Sequence, residues 1–237
     1  MKAVERSTDD GCILYDADML ANADAGLFDP VLLQQKGLVA GRAAGRGTTW
    51  FVTLDGHHAV LRHYHRGGMV AALLGDRYLW TGLARTRAWR EWHLLREMHG
   101  MGLPVPQPLT ARVRRYGPFY SADIVTARIV DSTSLSQRLR QQSLDIQGWR
   151  NIGHCIRRFH EAGVYHADLN AHNILIHGDG EVYVIDFDRG RRRSPGSWRR
   201  GNLNRLRRSL DKLHAQYDGF AFGETGWRAL LDGYDST

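Results

Sequence analysis

The stretch "VYHADLNAHNILI", residues Val164 to Ile176, places His166, Asp168, Asn170 and Asn173 among apolar neighbours. It is flanked by segments patterned for a core. Upstream, residues 145–162 put Ile146, Trp149, Ile152, Ile156 and Phe159 on one stripe of a helix. Downstream, "NILIHGDGEVYVIDFD" reads as a tight hairpin turning at Gly178, Asp179 and Gly180. Polar side chains at such a junction either satisfy a buried turn or carry chemistry. Asp168 and Asn173 share one loop, and Asp186 follows just past the hairpin. Because a hairpin folds back on itself, Asn173 and Asp186 are expected side by side. Two oxygen donors there suit Mg²⁺, a hard cation. Asp168 is then close enough to orient a hydroxyl nucleophile. Phosphoryl transfer needs this combination of charge neutralisation and a positioned base.

Outward from that loop, the chain supplies strands first and helices later. Residues 38–68 contain β-branched and aromatic runs split by "LDGHH", a hairpin with its turn at Asp55-Gly56. Residues 86–100 carry Trp89, Trp92, Leu95 and His99 at helical spacing, and Gly100 and Gly102 end that helix. "ARVRRYG" and "FYSADIVTARIV" read as two more strands. A last helix over residues 202–216 aligns Leu203, Leu206, Leu210 and Leu213. Residues 1–36 are mixed, with a short helix expected around "PVLLQQKG". The order predicts an α+β chain, sheet-rich in its first half and helix-rich in its second.

Composition sets outer bounds. The 237 residues are 43% hydrophobic, enough for one sizeable domain or two small lobes. Cys12 and Cys155 make neither a disulfide framework nor a metal knuckle. "MKAVERSTDDG" lacks the apolar core of a signal peptide, and no apolar run approaches the ~20 residues of a spanning helix. A cytoplasmic protein is expected. The net charge of +7 is carried almost wholly by arginine, since Lys occurs only at Lys2, Lys36 and Lys212. Guanidinium forks bind phosphate and carboxylate in two-pronged fashion, so an anionic partner is expected.

"HADLNAHN" resembles the protein-kinase catalytic loop H-R-D-L-x-x-x-N, and "IDFD" resembles D-F-G. "GRGTTWFV" resembles the Gly-rich phosphate loop, with Gly45, Gly47 and Val52 matching and Trp50 at the third glycine. "AVLR" resembles V-A-I-K, with Arg62 where kinases carry Lys, and Glu91 fits the helix glutamate that pairs with that base, Glu97 being the competing candidate. Asp188 replaces the glycine of D-F-G, which stiffens the loop and points to a constitutive small-molecule or lipid kinase. Four longer pieces narrow the resemblance: "VLRHYHRGG", "GLPVPQP", "YHADLNAHNIL" and "DFDRG", followed by "LNRLRRSLDKL". Together they are similar to the Kdo (3-deoxy-D-manno-octulosonic acid) kinases of the lipopolysaccharide kinase family, over roughly residues 37–215.

That resemblance implies a protein-kinase-like bilobal fold: a sheet-rich N-lobe over residues 1–125, a reduced helical C-lobe over residues 126–237, and an ATP cleft between them. It implies ATP and Mg²⁺, with Asp168 as base, Asn173 and Asp186 as metal ligands, and Gly45, Gly47, Val52, Arg62 and Glu91 around the nucleotide. The implied reaction moves the ATP γ-phosphate to the 4-hydroxyl of Kdo on lipid IVA, at the cytoplasmic face of the inner membrane. Nine arginines between Arg189 and Arg208, with Trp198, suit an acidic glycolipid and an anionic membrane surface. "MVAALLGDRYLW", residues 69–80, is a further candidate for lipid contact. A heptose kinase or an aminoglycoside phosphotransferase-like enzyme is the alternative. Nucleic acid is not an expected partner, because no base-reading motif is present. His166 is expected to brace its loop. His63 and His65 share one face of a strand without an evident third ligand, and read as surface or packing residues.

Overall fold

The computed structural model describes residues 1–43, 49–65 and 75–236. Gly45 and Gly47 lie outside the described residues, as does the first half of "MVAALLGDRYLW", residues 69–74. The chain divides into two compact units, one of residues 1–97 and 106–128, the other of residues 98–105 and 129 onward.

The first unit is built on an antiparallel sheet. Its strands are Ala3–Thr8 (β1), Gly11–Asp16 (β2), Val39–Ala43 (β3), Thr49–Leu54 (β4), His57–His63 (β5), Tyr78–Leu79 (β6), Pro108–Tyr116 (β7) and Phe119–Ala127 (β8). They run in the order β1-β2-β7-β8-β5-β4-β3, with β6 also on β8. Asp55 and Gly56, at φ 46° and 81°, both take the left-handed conformation that a two-residue hairpin turn requires. The β1–β2 hairpin was not expected from the mixed residues 1–36. Its signal is the Asp10-Gly11 step, where the chain reverses between Thr8 and Gly11.

Alternation along β5 divides its side chains between two faces. Ala59 and Leu61 join Ile13, Leu20, Phe28, Leu33, Val52, Leu54, Leu109 and Val125 in one apolar cluster. A 3-10 turn (Ala25–Phe28) and a short helix (Pro30–Gln35, α1) supply Phe28 and Leu33, each begun by an aspartate cap, Asp24 and Asp29. The next helix, Arg87–Gly100 (α2), buries Trp89, Trp92, Leu95 and Met98. His99, expected on that stripe, is exposed, and Met98 takes its place.

The second unit is mainly helical: Leu135–Gln141 (α3), Ile146–Glu161 (α4), Trp198–Gln216 (α5) and Glu224–Asp235 (α6). Small ladders join Ser132–Ser134 (β9), Ile174–His177 (β11) and Val182–Val184 (β12), and separately Val164–Tyr165 (β10) and Arg191–Arg192 (β13). Asp145 caps α4 by accepting from the Gly148 N–H at 2.7 Å. Trp149, Ile152, Ile156 and Phe159 are buried as expected. Ile146 is 42% exposed, because it is the first helical residue and lies beyond the packed turns. Helices α4 and α6 approach through two glycines. A Cβ on Gly153 would sit 2.1 Å from the Leu230 carbonyl oxygen, and one on Gly233 would sit 2.3 Å from that of Arg150.

Backbone cannot move aside as a side-chain tip can. Gly153→Ala is therefore expected to destabilise the chain by about 1–3 kcal/mol. Gly201→Ala, on α5 with nothing within 4 Å of its Cβ, is expected to stabilise by up to about 1 kcal/mol through helix propensity. Urea unfolding of the two variants checks the contrast.

Candidate active site

The loop between β10 and β11 is held by a buried histidine. The Asp168 N–H donates to His166 Nδ1 at 3.0 Å, and Nε2 meets the Ile185 carbonyl at 3.0 Å. Nδ1 accepts, so the proton sits on Nε2 and the ring is neutral. Burial pushes the His166 pKa down, in agreement with that tautomer. Asn202, on α5 and 2% exposed, satisfies both backbone groups of the same histidine. Its Nδ2 donates to the His166 carbonyl at 2.8 Å, and its Oδ1 accepts from the His166 N–H at 3.3 Å. His160 Nε2 reaches the same Oδ1 at 3.4 Å, and His160 Nδ1 meets the Tyr234 hydroxyl at 2.8 Å.

Two amides converge on the backbone of Asp168. Asn170 Nδ2 and Asn173 Nδ2 donate to its carbonyl at 2.9 and 3.0 Å. The Asp168 carboxylate faces outward and pairs with Arg205 of α5. Ser209, one turn further along α5, accepts from the Ala171 N–H at 3.2 Å.

The hairpin register brings Asn173 to the end of the second strand. Ile174 pairs with Val184, and the Ile185 N–H donates to the Asn173 carbonyl at 3.0 Å. Asp186 follows at φ 63°, a left-handed conformation uncommon for a residue with a Cβ. Phe187 is buried against His166 and Phe159, with ring centroids 4.6 and 5.5 Å away. Asn173 spends an Nδ2–H on the Asp168 carbonyl, which leaves its amide oxygen to the other side. An amide oxygen and a carboxylate such as that of Asp186 are both donor types that a hard divalent cation takes.

In the first unit, Arg62 pairs with Glu91. Their Nη2 and Oε1 atoms are 2.6 Å apart, and the Glu91 side chain is 2% exposed. The Tyr64 hydroxyl donates to Glu91 Oε2 at 2.5 Å, and Arg62 lies over the Tyr64 ring. Val52 departs from the sequence expectation. It pairs with Ala59, whereas Thr49 pairs with Arg62 and Phe51 with Val60. Directly opposed residues share a face, so Val52 points into the apolar cluster, away from Arg62. On β4, Thr49, Phe51 and Thr53 share Arg62's face.

A sequence profile of the lipopolysaccharide kinase (Kdo/WaaP) family matches residues 31–234. The chain belongs to this family. Among its relatives, a 3-deoxy-D-manno-octulosonic acid kinase of Xylella fastidiosa (strain M12) is 45% identical over 208 residues, covering 87% of this chain and 83% of the relative. Proteins of the same name from Vibrio vulnificus (strain YJ016) and Vibrio cholerae are 39% and 40% identical. They cover 94% and 84% of this chain, and 94% and 85% of their own lengths.

For this family member, sequence reasoning missed Tyr64, Asn202, Arg205 and Ser209. The last three have a signal: positions 202, 205 and 209 fall on one face of a helix. In the sequence Arg205 reads only as one member of the basic run. Several arginines of that run have structural partners. Arg199 donates to the His160 carbonyl, Arg191 and Arg193 lie over Tyr165, and Arg207 pairs with Asp211 and Glu224.

The buried histidines set an acid limit. Desolvation holds His160 down at about 4. Unfolded, it ionises near the ordinary value of about 6.5. Its contribution is complete above that value and is lost as pH falls toward the folded value. At pH 4 the loss reaches about 3 kcal/mol. The urea midpoint is therefore expected to fall between pH 6.5 and 4, less steeply in His160→Gln.

Proposed function

We propose that this chain transfers the γ-phosphate of ATP to the 4-hydroxyl of Kdo on Kdo-lipid IVA, in assembly of the lipopolysaccharide core. The observation that carries this reading is identity of 39–45% to Kdo kinases over most of the chain, together with an intact Asp168, Asn173 and Asp186 set. Asp168 acts as the base: its outward carboxylate accepts the proton of the acceptor hydroxyl as the new P–O bond forms. Asn170, Asn173 and His166 hold the backbone on either side of that carboxylate, so its position is set before the acceptor arrives. Asn173 and Asp186 would hold Mg²⁺, which when bound neutralises phosphate charge. Arg62, oriented by the buried Glu91, contacts the phosphates. Its charge does not titrate, so it serves where kinases carry lysine.

The acceptor is an anionic glycolipid. Exposed arginines of the run 189–208, including Arg189, Arg191, Arg192, Arg193, Arg200 and Arg208, offer it and an anionic inner-membrane surface a basic face. Each base near such a surface contributes on the order of 1 kcal/mol. Among the described residues no helix is long and apolar enough to cross a membrane, which agrees with peripheral attachment.

Two measurements test this reading. With ATP, Mg²⁺ and Kdo-lipid IVA, mass spectrometry is expected to show a gain of one phosphate on the Kdo sugar. Asp168→Ala is expected to lower turnover at least about 10²-fold with an unchanged circular dichroism spectrum. Full turnover in the folded variant overturns the assignment of the base, and phosphate gained only by a heptose acceptor overturns the assignment of Kdo. In flotation, the protein is expected to rise with anionic liposomes at low salt and to be released at high salt. Protein left in the soluble fraction at low salt rejects the membrane role.

A further inference from the structure

The end of β5 and residue 76 bring together three side chains that phosphotransfer does not use. The His63 and His65 rings lie 4.9 Å apart. His65 Nδ1 is 2.8 Å from Asp76 Oδ1, and His63 Nε2 is 3.4 Å from Asp76 Oδ2. One ligand atom from each of the three lies within 4.8 Å of the other two. Donors held at about 2.0–2.1 Å around a tetrahedral Zn²⁺ are about 3.4 Å apart. Small side-chain rotations therefore close the set around one ion.

His63 is also braced from behind. Its Nδ1 is 2.6 Å from Asp123 Oδ1. Asp123 is 3% exposed, and its other oxygen is gripped by Arg112 Nε and Nη2 at 3.0 and 2.9 Å. With Nδ1–H directed at a fixed carboxylate, Nε2 is the nitrogen left to face Asp76. A carboxylate behind an imidazole is the arrangement that orients metal-bound histidine and raises its basicity. Along β5 and β8, His63 pairs with Asp123 and Arg62 with Ile124. The set thus lies on the sheet face opposite Arg62 and Glu91.

We propose that His63, His65 and Asp76 bind one transition-metal ion of the Zn²⁺ class, with Asp123 positioning His63. Two imidazoles and one carboxylate favour such an ion over Mg²⁺, which takes oxygen donors. Three protein ligands leave a fourth position for water. The ion acts as a clip that ties the strand carrying Arg62 to Asp76. It takes no part in the transfer step.

The test uses the full chain without a histidine tag, stripped with chelator and kept in excess Mg²⁺. Calorimetric titration with Zn²⁺ is expected to show one saturable equivalent, and Co²⁺ is expected to give the visible absorption of a four-coordinate nitrogen–oxygen site. His65→Ala and Asp76→Asn should each weaken Zn²⁺ binding at least about tenfold, and Asp123→Asn by about 10–100-fold. The side chains of His65 and Asp76 are 36% and 43% exposed, so both variants are expected to fold, as circular dichroism would verify. Binding unchanged in His65→Ala and Asp76→Asn places the ion elsewhere and overturns the proposal. Absence of saturable Zn²⁺ binding by the wild-type chain leaves only ion pairs at this position and overturns it equally.

Discussion

The second unit depends on how His166 is satisfied. The loop that carries Asp168 runs between a core helix and a core hairpin, where an unpaired backbone group costs roughly 1–3 kcal/mol. One neutral ring accepts from the Asp168 amide and donates to the Ile185 carbonyl. It thereby links the loop to the strand end that precedes Asp186. Asn202 then satisfies the backbone N–H and C=O of the histidine itself. Charging the ring would remove its acceptor, which is why burial and neutrality belong together here.

The same economy governs the first unit through strand alternation. One face of β5 feeds the apolar cluster with Ala59 and Leu61, and the other presents Arg62 to Glu91. Glu91 is buried, so its charge needs partners. Arg62 and the Tyr64 hydroxyl take one oxygen each. A planar, permanently charged guanidinium suits a buried carboxylate and a phosphate alike. At its far end the apolar face gives way to the polar group of His63, Asp123 and Arg112, which satisfy one another.

The arginine content resolves into distinct uses. Some guanidiniums lie over aromatic rings, as Arg193 does over Tyr165 and Trp198. Others terminate networks, as Arg199 does at the His160 carbonyl. Arg205 alone reaches the Asp168 carboxylate among the described residues. An arginine over a ring keeps its charge, so Arg191 and Arg193 still belong to the basic face, whereas Arg205 and Arg207, paired with carboxylates, add little to it.

The amino-acid sequence by itself determined what is local. Helical and strand periods placed the main elements, Asp55-Gly56 specified its turn, and hairpin arithmetic put Asn173 beside the residue preceding Asp186. Such signals act within a few residues, where backbone geometry and side-chain period are set by neighbours. Tertiary structure alone decided the rest. Val52 changed faces because register, unreadable from one strand, governs which side a residue takes. Arg205 and Asn202 reach partners 37 and 36 positions away, and Asp76 meets His65 across a span with no periodic pattern. Those contacts exist only after packing has chosen which distant segments share a face.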